Sequence, residues 1–405
     1  MIADDVQGQA GVDASSTASR EGLRFAFFTW LAVRVFLSLW GAVAFFAINP
    51  ELRQKIPAEY PNVVLPEHDL YGYTIGVWNV FDTVNFITIA ETGYGSDPGF
   101  LSVFFPGYPL LIKLASVPLL GNSLLAALVV ANVSALVFFW YLYRLVEPEY
   151  GVGVARRAVI LSAVFPTSFF LFLGYTEAPL LAFTVCALYY GREGKWWLAG
   201  LLAGVAALVK QPGVFLLLPL AYMYWRQYRT HGREWPTAQR LSWLWLLAAP
   251  AAALGYTIYR YLFSGAELAD VTDLGAHEIL TLPGLPLISA LLVLRPDNPR
   301  IVFNVIDVAF TLLMISLSIG VALRLRSTVY TLYSVVLTIV SLAVTWPDMF
   351  RPEVNMPRRL LIIFPAFIYL GTVIDTPRRL RWMIILSLII FMGLSSLFIN
   401  WIFIS

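Results

Sequence analysis

Four carboxylates crowd the chain after its first apolar run. Asp82, Glu91 and Asp97 stand among the aromatics and glycines of WNVFDTVNFITIAETGYGSDPGF, residues 78–100, with Asp69 just upstream. A carboxylate so placed can take a proton from a hydroxyl, which is general-base chemistry. Asp82 leads, because Asp82, Phe86 and Ile89 recur at helical spacing, as do Phe81, Asn85 and Thr88. The spacing predicts an amphipathic surface helix ending near Gly93 as a C-cap. Alone, Asp82 reads more simply as a first-turn charge that suits the helix dipole; its company shifts the balance. Glu177 in LFLGYTEAPLLAF sits between two apolar runs with almost no loop. An ionisable group held at a membrane boundary is costly and marks function, although a tight turn also explains it. Lys210 in ALVKQPGVFLLLPL reads either as a snorkelling lysine or as a binding cation. Arg351, Arg358 and Arg359 cluster in WPDMFRPEVNMPRRLLIIFPAF. The guanidinium fork matches phosphate oxygens. Trp78, Tyr94 and Tyr108 can stack on a sugar ring, though interfacial packing is the stronger reading for any one aromatic. The set implies one site with a carboxylate for proton transfer and basic groups for a phosphate.

The elements that must position these groups are membrane helices. The 405 residues are 59% hydrophobic and 13% charged, and apolar runs near the ~20 residues that span a bilayer recur from Phe25 onward. The runs are continuous, which excludes a β-barrel. Spans are expected near 25–47, 122–143, 158–174, 175–191, 196–210, 212–226, 242–263, 301–323, 328–346, 358–374 and 381–403. Residues 1–24 are expected to form a disordered cytoplasmic tail and 25–405 a single transmembrane domain. Dense basic clusters at 144–157, 192–195, 226–240, 324–326 and 378–381 fall on one side if 100–120 does not cross. The positive-inside rule then gives eleven spans, N-terminus inside and C-terminus outside. Residues 100–120 become an interfacial or re-entrant helix within outer loop 48–121. Asp82, Glu177, Lys210 and Arg358 all fall on that outer face. Arg34, inside the first span, should face the bundle and pair. The lone Cys186 forms no internal disulfide and reads as a small packing residue. There is no basic block for nucleic acid, no phosphate-binding glycine loop and no Cys/His cluster. No cofactor is expected, and Asp69, Asp82 and Glu91 could hold a divalent ion only weakly.

The motifs, taken in order, resemble a known family. FDTVNFITIAETGYG followed by VFFPGYPLLIKLAS is similar to the signature of the glycosylphosphatidylinositol mannosyltransferases of PIG-V type, within the GT-C glycosyltransferases. FPTSFFLFLGYTEAPLLAF, GKWWLAGLLAGVAALVKQPGVFLLLPL and MPRRLLIIFPAF continue the resemblance, which is best over 78–220 and weaker over 350–370. Departures are Phe81 where the family has Trp, Gly107 after Pro106, Ala178 after Glu177, and Arg359 where an aromatic stands.

The resemblance implies an all-α polytopic GT-C fold and an inverting transferase. It implies a sugar, usually mannose, moved from a polyprenyl-phosphate carrier to a lipid or glycolipid hydroxyl at the non-cytoplasmic face. Asp82 falls on the family's catalytic Asp, as base. Glu177, Lys210 and Arg358 fall on its acidic and basic positions. Asn85, Glu91, Trp78, Tyr94 and Tyr108 complete the expected substrate-binding set. The tail and sequence style point to a bacterial plasma membrane. The rival reading is a transporter or flippase of a lipid-linked substrate. Ionisable groups gathered at one boundary, rather than at the midplane, favour the enzyme.

Overall fold

Backbone N–H and C=O groups in lipid must pair within their own segment, so apolar runs become helices. The computed structural model, which describes residues 2–46, 69–96, 98–231, 234–263, 279–346, 348–353 and 355–402, is all-α apart from a two-residue antiparallel ladder, Ile279 opposite Thr345 and Leu280 opposite Val344. Asp97 and residues 47–68 and 264–278 of the expected outer loops lie outside the described residues.

Helix α1 runs Ile2–Phe46, with its apolar span at Arg20–Phe45. The tail expected to be disordered is here a helical extension of that span. The sequence-predicted surface helix forms as α2, Asp82–Thr92, with Gly93 as its C-cap at φ 73°. Helix α3, Gly107–Ser116, has ten residues, about 15 Å of rise, and is too short to cross a ~30 Å hydrocarbon core.

Residues 122–174, expected as two spans, behave differently. Helix α4 covers Ser123–Val164 and breaks at Gly151, whose φ of 82° and ψ of 163° no helix accommodates. Residues 165–176 are then irregular and fully buried, apart from a short turn at Ser168–Leu171. Non-helical backbone survives at such depth where protein surrounds it. Asn132 of α4 donates to the Phe172 carbonyl at 3.0 Å, which supplies part of that pairing.

Helices α5 (Glu177–Arg192) and α6 (Trp196–Val209) follow, then α7 (Leu217–His231) and α8 (Ala248–Phe263). The C-terminal part holds α9 (Ile301–Arg324), α10 (Thr328–Leu342), α11 (Met356–Leu361), α12 (Pro365–Val373) and α13 (Pro377–Ile399). Among the described residues, five helical stretches are long and apolar enough to cross a membrane: Arg20–Phe45, Ser123–Val164, Thr237–Phe263, Ile301–Arg324 and Pro377–Ile399. The other expected spans are shorter or broken, so the count of eleven does not carry over to full-length helices.

The core is centred on α4, α5 and α6, with Phe138, Phe139, Phe169, Phe170, Phe172 and Phe367 almost wholly buried. Cys186 is buried within it. Arg34 departs from expectation. It is half-buried on α1, and its Nη1 has no hydrogen-bond partner among the described residues. The carboxylates Asp82, Glu177 and Asp307 are engaged by Arg358, Lys210 and Arg351 instead.

Candidate active site

Asp82 is delivered by a strained turn. The Thr83 N–H donates to the Val80 carbonyl at 3.2 Å, and inside that turn Phe81 sits at φ 47°, ψ −122°. This is a left-handed position that favours glycine and costs a bulky residue energy. The Phe81 ring packs against Phe398 and Trp401, with centroids 5.1 and 4.9 Å away, and that packing holds the conformation. The Asp82 N–H donates to the Tyr175 hydroxyl at 3.2 Å, and the Thr83 hydroxyl donates to the Gly174 carbonyl at 3.3 Å. A Cβ on Gly174 would lie 2.6 Å from Thr83 Cγ2, so glycine permits the approach. The start of α2 is thereby pinned to the GYTE turn, nearly a hundred residues onward.

Glu177 opens α5 and is fully buried. Lys210 follows the last turn of α6 in extended conformation. Two glycines grip that turn: a Cβ on Gly107 would lie 2.6 Å from the Leu208 carbonyl carbon, and one on Gly213 would lie 2.3 Å from that of Ala206. Arg358 sits on α11, whose entry is turned by Asn355 at φ 65° and tied to the buried segment by a Thr167 hydroxyl bond to the Pro357 carbonyl at 3.0 Å.

These four side chains meet. Arg358 Nη1 donates to Asp82 Oδ2 at 2.9 Å, its Nε donates to Glu177 Oε1 at 2.9 Å, and its Nη2 lies 2.9 Å from that same oxygen in the ion pair. Lys210 Nζ donates to the same oxygen at 2.6 Å. The Arg358 guanidinium lies 4.9 Å from the Phe170 ring centroid and 4.7 Å from that of Tyr175, so aromatic faces add cation–π support. Among the described residues, Glu177 Oε2 has no partner and Asp82 Oδ1 accepts no hydrogen bond. Buried charges persist when paired, and here two carboxylates and two cations balance.

Asp82, Lys210, Arg358 and Arg359 line one cavity of about 240 Å³, together with Phe86, Phe104, Leu337 and Ile362. Arg359 also donates to the Ser341 carbonyl at 3.0 Å. Counting it, the cavity wall is net positive beside a half-buried carboxylate. That pairing suits a reaction in which a proton leaves a hydroxyl while negative charge grows on a phosphate.

The other expected site residues lie elsewhere. Trp78 is fully buried, donates Nε1 to the Thr74 carbonyl and packs where a side chain on Gly41 would clash. Tyr108 is fully buried, donates to the Ala127 carbonyl and meets the Phe86 ring edge-on. Both are packing residues with no face free for a sugar. Tyr94 donates to the Phe104 carbonyl and joins a ring cluster with Tyr256 and Tyr259. Asn85 is half-buried one turn along α2, and Glu91 is exposed at its far end. Arg351 is buried on Asp307 at 2.6 Å, in a cluster separate from the cavity. Asp69 caps the short helix Leu70–Thr74. Among the described residues no three His, Cys, Asp or Glu side chains gather to hold a metal ion, so the weak Asp69–Asp82–Glu91 site is not assembled.

Two residues whose part in placing Asp82 shows only in the fold are Tyr175, which accepts from the Asp82 N–H, and the strained Phe81. Tyr175 stands two positions before Glu177 in a motif already singled out, which was the available signal. The sequence marks Arg359 by its type alone, and the fold sets it in the cavity wall.

The family model for dolichyl-phosphate-mannose-protein mannosyltransferases matches residues 105–259, a stretch that holds Glu177 and Lys210. The mouse (Mus musculus) GPI alpha-1,6-mannosyltransferase 2 is 26% identical over 199 residues, covering 42% of this chain and 40% of that protein. The human (Homo sapiens) protein of the same name is 29% identical over 180 residues, covering 38% and 36%. The chain thus spans about two fifths of the length of the curated relatives it matches. The crystal structure of the Archaeoglobus fulgidus oligosaccharyltransferase, in complex with zinc and sulfate, covers 92% of this chain and 52% of its own at 16% identity and a TM-score of 0.38, too slight a likeness to bear weight. In its motifs and in these sequence matches, the chain is similar to mannosyltransferases of the PIG-V type, at under 30% identity over about two fifths of its length.

Proposed function

We propose that this integral membrane protein is an inverting glycosyltransferase. It moves a hexose, mannose first among candidates, from a polyprenyl-phosphate carrier to a lipid or glycolipid hydroxyl. The reaction takes place at the non-cytoplasmic face of a bacterial plasma membrane. The observation that carries this reading is the shared cavity of Asp82, Lys210, Arg358 and Arg359. The acceptor oxygen attacks C1 of the sugar as the bond from C1 to the phosphate oxygen breaks, and that electron pair departs with the lipid phosphate. The hydroxyl proton passes to Asp82. As Asp82 loses its charge, Arg358 loses one of its two anionic partners. Its positive charge then becomes available to the leaving phosphate, beside Lys210 and Arg359. Positive charge fixed where negative charge develops lowers the barrier without reorganisation.

Transfer from polyprenyl-phosphate-mannose into a lipid extract tests the reading, with wild type and Asp82→Asn compared. The wild type should form product and the variant should be slowed by at least ~10²-fold, as for loss of a positioned base. Full activity in the variant would remove Asp82 as base. Absence of transfer from any polyprenyl-phosphate sugar would favour the flippase reading. Labelling of Asp82→Cys or Lys113→Cys from the cytoplasmic side would overturn the placement of the site.

A further inference from the structure

A second cavity, of about 670 Å³, opens at the opposite ends of the helices that frame the first. Helix α5 begins with Glu177 at the site and ends with Arg192 in this second cavity, about 24 Å away over its 16 residues. Helix α10 likewise begins beside the second cavity at Tyr330 and reaches the first at Leu337 and Ser341.

Its wall is cationic. Arg192, Arg226, Arg326 and His231 line it, against the single carboxylate of Glu149. Arg192 and Glu149 are occupied with each other at 3.4 Å, and Arg192 also donates to the Leu145 and Arg144 carbonyls. The side chains of Arg226, Arg326 and His231 have no hydrogen-bond or ion-pair partner among the described residues. Arg326 adopts φ 52°, a left-handed conformation that costs an L side chain energy. The loop before it is fastened by the Tyr150 hydroxyl, which donates to the Leu325 carbonyl at 3.0 Å. Membrane topology explains arginines on one face, but it does not require them to converge on one concavity from separate chain segments.

We infer that this cavity binds a phosphate group, that of an anionic lipid headgroup, through Arg226 and Arg326. Basic pockets between membrane helices take such headgroups, and paired guanidinium forks match phosphate oxygens. The assignment is independent of the reaction proposed at the other end of the helices.

Native mass spectrometry of the full chain, delipidated in detergent and titrated with phosphatidylglycerol or with phosphatidylcholine, tests it. The wild type should retain phosphatidylglycerol in preference to phosphatidylcholine. Replacing two charge-assisted contacts in Arg226→Gln/Arg326→Gln should weaken the phosphatidylglycerol complex at least about tenfold. Arg226→Lys/Arg326→Lys should keep more of the affinity than the glutamine pair. Both positions are exposed, so a matching thermal transition identifies folded variants. A parallel titration with inorganic phosphate separates the sources. Weak, non-competing phosphate supports the lipid. Tight phosphate binding lost in the glutamine pair would keep the phosphate site and overturn its assignment to a lipid. Equal retention of phosphatidylglycerol by wild type and the folded glutamine variant would overturn the site.

Discussion

Arg358 and Asp82 are 276 positions apart in the chain, yet Nη1 of one lies 2.9 Å from Oδ2 of the other. The same guanidinium holds Glu177, so a single planar cation spaces two carboxylates at the wall of the cavity. A lysine at this position would carry the charge but lack the fork. Arg358→Lys should therefore fold and yet lower kcat by at least about tenfold, because one ammonium cannot hold both carboxylates in register. Steady-state transfer kinetics beside a thermal melt would check this. Unchanged kcat would show that the bridge does not position Asp82.

The turn at Phe81 makes a second expectation. Its left-handed backbone is held by the Phe398 and Trp401 rings rather than by residue preference. Phe81→Gly relieves the backbone and removes the anchor. We expect kcat to drop while the protein remains folded, and Phe81→Trp to retain more activity than Phe81→Gly. If the glycine variant were fully active, the ring would not be needed to place Asp82.

Gly213 offers a steric test of how Lys210 is placed. An added Cβ would meet backbone at 2.3 Å, which a flexible side chain cannot relieve. Gly213→Ala should destabilise the protein by ~1–3 kcal/mol, the usual cost of overpacking. Gly255→Ala serves as the control, since nothing lies within 4 Å of its Cβ position. Equal melting temperatures for the two variants would count against the close approach.

Glu353, in the turn before α11, is a buried carboxyl that accepts from the Thr311 hydroxyl at 3.1 Å, with its other oxygen unpartnered among the described residues. Burial pushes it up from its ordinary 4.5 to about 7; the Thr311 bond opposes this, and nearby Asp307 adds to it. Between these values the folded state holds a proton that the unfolded state has released, so stability falls as pH rises from about 4.5 to 7 and levels above. The thermal transition should drop across that window, and Glu353→Gln should make the slope shallower. A variant with the wild-type slope would assign the pH dependence to other groups.

Much of this protein follows from residue order alone. Apolar runs with no partner for their backbone other than themselves had to be helices, and the surface helix ending at Gly93 was visible in its spacing. Asp82, Glu177, Lys210 and Arg358 were visible because charge beside lipid is expensive and stands out against an oily background. Residue order did not show that residues 165–176 leave the helix and run buried through the core. Hydropathy measures burial, and a buried irregular segment is as apolar as a span. Nor did it separate Trp78 and Tyr108, which pack, from residues that face a cavity, because an aromatic's type is the same in both places. The pairing of Arg358 with both carboxylates, and of Arg351 with Asp307 instead, depends on which helix ends meet. That is settled by close approaches such as Gly174 on Thr83 and Gly213 on Ala206, contacts whose partners no local pattern in the chain records.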